Sequence, residues 1–269
     1  MHATPFALAA VVAYLTATGA LWRSTAARTG ERAVGALALA LGAATLHAIA
    51  LALAIRTPAG LALDLLQTGS VLAWEAGALT ALAAVRLPVA TLGLLSFPVG
   101  ALGALALATD VSPPRVIALG SWVVEAHVVL SLLAYGVLML AAGQALLLWY
   151  QERRLRTHRV EGLLGLLPPL SVMESMLFHM IGVGVALLTL ALATGASFVS
   201  DLRGQHLVHK VVLSLAAWAI FAVLLYGRVR HGWRGPRAVG FTLAGFAMLA
   251  LAYFGSRFVL EVLLGRSWG

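Results

Sequence analysis

Runs of about twenty apolar residues, each closed by a short connection that carries arginine, recur along this 269-residue chain. Such a run crosses the hydrocarbon core of a bilayer as a helix, because a helix satisfies its own backbone hydrogen bonds where no water is present. Eight runs qualify: 6–22, 34–55, 65–85, 89–108, 122–149, 176–199, 207–227 and 239–262. Arg86 and Pro88 leave only a tight turn between the third and fourth, and the end of the fifth, Gln144–Tyr150, is expected to project beyond the bilayer. Hydrophobic residues make up 61% of the chain and charged residues 10%, far from a soluble balance of roughly half and a quarter. The expected fold is all-α: a polytopic membrane helix bundle of about eight transmembrane helices, one integral membrane domain over 1–269. Phe6–Trp22 lacks a preceding basic stretch and a small-residue cleavage site, so it reads as a retained first span.

Charge gives the orientation. Of the 18 lysines and arginines, twelve lie in alternate connections: Arg23, Arg28 and Arg32; Arg86; Arg153, Arg154, Arg156 and Arg159; Arg228, Arg230, Arg234 and Arg237. Only Arg56, Arg115, Arg203, Lys210, Arg257 and Arg266 fall on the opposite side. Cations favour the cytoplasmic side, which puts both termini outside, N-out and C-out. The net charge of +8 forms no stripe with interleaved aromatics, so no nucleic acid partner is expected. With no cysteine, disulfides, thiolate ligands and dithiol relays are excluded. In the connection 150–171, Pro168-Pro169 is followed by Ser171-Val-Met-Glu174, which reads as a capping box opening the sixth helix.

Ionisable side chains inside apolar spans are costly, so each calls for a partner or a function. His47 lies in the second span. In the fifth, His127, Ser131 and Tyr135 recur every four residues as one polar stripe. His206 and His209, beside Lys210, open the seventh, while His179 stands apart in the sixth. Neutral imidazole suits haem iron, copper, zinc or nickel; a zinc-protease His-Glu-x-x-His pattern is absent. A b-type haem asks for histidine nitrogen on its iron and cations for its propionates. His47 and His127 fit the first need, and Lys210, Arg203 or Arg257 the second. The alternative stays open that His47 bonds a neighbouring hydroxyl or Glu75, and that Arg257 pairs with Glu261 one turn on. Asp64, Gln67, Thr68 and Ser70 read as a polar mouth of the third span, and Trp122, Trp149 and Trp233 as interface anchors.

The segments EAHVVLSLLAYGVL (125–138), MESMLFHMIGVGVALLTLALATG (173–195), HKVVLSLAAWAIFAVLLYGRVRHGWRG (209–235) and AYFGSRFVLE (252–261) together resemble the cytochrome c assembly proteins of the CcsA/CcmC type. Within these, the chain is similar to the HemX-like inner membrane proteins, over a core of about 34–265. The resemblance implies a multi-pass inner (plasma) membrane protein that handles haem, with His127 as the outer axial histidine and other cytochrome c assembly proteins as partners. The loop SDLRGQHLVHK holds no tryptophan where synthases carry a tryptophan-rich segment, and helix eight carries Arg257 where a second outer histidine is expected.

The expected function is therefore haem binding in cytochrome c assembly, as an accessory or regulatory member and not an enzyme. Haem b is the expected cofactor, and haem and membrane lipid the expected partners. The expected site is His127 and His47 on the iron, with His206, His209, Lys210 and Arg257 around the propionates. Two rivals are a small-molecule permease, needing matched Gly/Pro helix breaks of which only Pro98–Gly100 is present, and a cofactor-free scaffold docking through Arg153–Arg159.

Overall fold

The computed structural model describes residues 3–27, 30–57, 60–109, 116–117, 121–156, 167–198 and 208–255. Eight helices dominate: α1 (Thr4–Ala27), α2 (Gly30–Ile55), α3 (Leu65–Ala83), α4 (Gly93–Thr109), α5 (Trp122–Arg156), α6 (Leu170–Phe198), α7 (Val208–His231) and α8 (Pro236–Ala250). A π-helical turn, Leu251–Gly255, continues α8. Three short strands, β1 (Arg56–Thr57), β2 (Gly60–Ala62) and β3 (Val116–Ile117), form an antiparallel sheet in the order β1-β2-β3. Arg56 pairs with Leu61 and Leu61 with Ile117. Strands of two or three residues have no period to read, so this sheet has no signature in the sequence.

The all-α, multi-pass membrane architecture expected from the apolar runs is the one observed. Among the described residues seven helices are long and apolar enough to cross a bilayer. The eighth helix, α3, is the least apolar of the expected spans. Gln67, Thr68, Ser70, Glu75 and Thr80 lower its apolarity, and all five are buried. Protein covers its polar surface. The Asp64–Ser70 segment is accordingly no open mouth: the Asp64 carboxylate accepts the Gln67 N–H at 2.8 Å while the Asp64 N–H donates to Gln67 Oε1, a buried capping box. Helix α6 also begins earlier than Ser171 implied, with Pro169 carbonyl accepting from Val172 and Met173. Helix α4 runs on through Pro98.

The chain divides into two compact units, residues 1–119 with 150–176, and 120–149 with 177–269. In the first, small residues set the packing. Ala7, Ala10, Tyr14, Ala17 and Leu21 on α1 recur at steps of three and four, as do Ala36, Ala40, Ala43, His47 and Ala50 on α2. All ten are fully buried. Where lipid tails are as apolar as the side chains, association depends on close backbone approach, which alanine and glycine permit. Tyr14 is the largest group in the α1 seam; it fits because Gly77 on α3 and Gly100 on α4 lack a Cβ, which would stand 2.9 Å from its ring or hydroxyl. Its ring stacks on Phe97 at 6.4 Å and meets His47 edge-on at 6.0 Å.

The second unit uses the same device. Leu177, Ile181, Gly184, Leu188 and Ala191 form the buried seam of α6. Leu138 of α5 fills the space that Gly184 leaves. Phe221 of α7 does so at Gly245 of α8, and Trp218 Nε1 donates to Thr189 Oγ1 at 2.9 Å.

Candidate functional site

Helix α5 is started by Ser121, whose hydroxyl accepts the Val124 N–H, and Glu125 in the first turn favours the positive end of the helix dipole. Two turns in, His127 extends the α5 seam, four residues before Ser131 and seven before buried Ala134. Its Nδ1 lies 2.8 Å from the Ala191 carbonyl of α6 and 3.4 Å from Thr194 Oγ1. A carbonyl only accepts, so Nδ1 carries a proton, and in the neutral ring Nε2 is the acceptor nitrogen. Histidine ligands are typically held this way, with one ring N–H on a carbonyl fixing the ring and raising the basicity of the other nitrogen. Gly195 makes room: a Cβ there would come within 2.9 Å of His127 Cε1. His127 is half-buried. These features fit a histidine that could ligate iron.

His47 has a different setting. It is fully buried in the alanine seam of α2, and its Nε2 lies 2.9 Å from Ser70 Oγ on α3. Nδ1 is buried without a hydrogen-bond partner. An unpaired N–H costs more than an unused lone pair, so the proton belongs on Nε2, donating to Ser70. Trp74 Nε1 ties the same two helices by donating to the Ala44 carbonyl at 2.8 Å. A nitrogen on a fully buried ring set edge-on to Tyr14 has no open face for a planar macrocycle. The hydroxyl partner foreseen for His47 is Ser70; the Glu75 carboxylate is buried, with Oε2 unpartnered.

His47 belongs to the first unit and His127 to the second. His209 and Lys210 stand in the first turn of α7, exposed and half-buried respectively. His206, Arg203, Arg257 and Glu261 lie outside the described residues. Exposed His179 stays apart on α6. Of the stripe on α5, Tyr135 donates its hydroxyl proton to the Leu249 carbonyl of α8 at 2.8 Å, beside the π-turn, and its ring meets Tyr253 at 6.0 Å. Thr194, the Ala191 carbonyl and Gly195 were missed in the sequence. Their signal is the α6 seam, which places Ala191 opposite α5. Among the described residues no three His, Cys, Asp or Glu side chains gather as a metal cluster.

A family described as Cytochrome C assembly protein matches residues 5–264. The inner membrane protein YpjD of Escherichia coli (strain K12) is 41% identical over 137 residues, covering 51% of this chain and 52% of its own. A 28.8 kDa protein of Azospirillum brasilense is 36% identical over 168 residues, 61% of this chain and 62% of its own. The cytochrome c biogenesis protein CcsA of Gloeobacter violaceus is 29% identical over 98 residues, 36% of this chain and 29% of its own. The chain spans about half the length of the first of these curated relatives. No solved structure matches it.

Proposed function

The chain belongs to the cytochrome c assembly protein family, and on that premise we propose that it binds haem as a non-catalytic, accessory member of that assembly. It is a multi-pass inner membrane protein, acting over 1–269 as one integral membrane domain with both termini outside. His127 Nε2 ligates the iron. Haem, when bound, would supply an iron that accepts an imidazole nitrogen. The chain holds that nitrogen in place through the Ala191 carbonyl on Nδ1 and leaves room for the ring at Gly195. His209 and Lys210, at the entrance of α7, take the propionates, joined by His206 and Arg257. His47 is left to tie α2 to α3.

The single observation that carries the reading is the Nδ1–H bond of His127 to a backbone carbonyl, the hold typical of histidine ligands. The accessory assignment rests on the loop before Lys210, which holds no tryptophan. Titration of the detergent-purified protein with haem b tests the proposal. A saturable Soret band that shifts from the free-haem position is expected. A protein that is colourless as isolated and leaves added haem unshifted would sink it.

A further inference from the structure

The ten residues Arg228–Arg237, RVRHGWRGPR, carry four arginines and one histidine with no carboxylate. A topology signal needs only the charges. Here they are mounted on a built turn. Gly232, at φ 64°, reverses the chain so that the Trp233 N–H reaches the Gly227 carbonyl at 3.2 Å. The indole lies on Gly227, where a Cβ would collide with it, and packs against Phe241 at 5.1 Å. Arg228 is spoken for: its Nη1 donates to the Trp233 carbonyl at 3.2 Å and its guanidinium covers Phe178 at 4.6 Å. Arg230, Arg234 and Arg237 are exposed around this scaffold, with Arg237 set 6.0 Å from the Trp233 ring.

The surface beside these cations is apolar. On α7, Val212, Leu215, Ala219, Val223 and Tyr226 are all exposed at steps of three and four, and the next position on that stripe is Arg230. Val229, between two arginines, is 82% exposed. A soluble acidic partner would match the arginines and leave the stripe unmatched. An amphiphile with a phosphate above an acyl chain matches both, and the end of a membrane-crossing helix is where its headgroup lies. Guanidinium suits phosphate because its fork donates two parallel hydrogen bonds.

We propose that the α7–α8 turn binds the phosphate of an anionic phospholipid, with Arg230, Arg234 and Arg237 as its cations and the exposed α7 stripe as its acyl track. The site is independent of haem. To test it, the full chain is delipidated in detergent, offered POPG or POPC, and the bound lipid counted by native mass spectrometry. POPG is expected to bind in preference to POPC. The variant R230Q/R234Q/R237Q should lose POPG affinity by about a hundredfold, while R23Q/R86Q/R153Q, with the same charge loss elsewhere, should keep it. Arg234→Gln alone, in an exposed turn, covers the case of a triple variant that fails to fold; about a fivefold loss is expected. Equal binding of POPC, equal loss in the control, unchanged POPG binding in Arg234→Gln, or displacement of POPG by millimolar inorganic phosphate would each overturn the proposal.

Discussion

His47 and His127 each lie on the inward seam of an apolar helix, and each is hydrogen-bonded to a neighbouring helix. In the first unit the partner is a serine hydroxyl, and the rest of the ring is closed in by alanines and Tyr14. In the second the partner is a backbone carbonyl, with a glycine where a side chain would displace the ring. A hydroxyl accepts or donates and so leaves the tautomer to its surroundings, whereas a carbonyl fixes it. On the proposed function, the difference separates a histidine that only joins two helices from one that also ligates iron.

Substitutions that separate stability from haem affinity sharpen this contrast. The largest change is expected from His47→Ala, which opens a cavity and leaves Ser70 alone. A loss of roughly 3–4 kcal/mol in thermal unfolding is expected, with haem affinity unaltered. Gly195→Ala pushes on the His127 ring, so haem affinity should fall about 10- to 100-fold in a protein that melts near wild type. Ser70→Ala strands the His47 N–H and should cost roughly 1–3 kcal/mol, again read by melting and silent in the haem spectrum. Smallest is Thr194→Val. The hydroxyl already donates to the Leu190 and Ala191 carbonyls, at 2.9 and 3.0 Å, so a haem affinity change of only about two- to fivefold is expected in the same titration.

Much of the fold was legible because each apolar run is long enough to allow only one solution in a bilayer. Helix α5, 35 residues long, runs past the apolar segment to Arg156. At α3 the helix was legible but its surroundings were not, because hydropathy alone does not distinguish a lipid-facing helix from one shielded by protein. Its buried Gln67, Ser70 and Glu75 needed the alanine and glycine seams of α1, α2 and α4 to be read first. Those seams were in the sequence as steps of three and four, and reading them would have placed His47 between helices. At the second locus, periodicity put His127 on a polar stripe but could not name its partner. A backbone carbonyl at Ala191 has no side-chain signature, and Gly195 matters only for the atom it lacks.

The central claim is that His127, and not His47, is aimed at a ligand. Its most direct test is the Soret spectrum of haem-titrated His127→Ala and His47→Ala beside wild type, in one detergent and at one temperature. The account predicts that His127→Ala loses haem affinity by more than about a hundredfold while His47→Ala binds as wild type and merely melts earlier. A Soret band that survives in His127→Ala and disappears in a folded His47→Ala would contradict it.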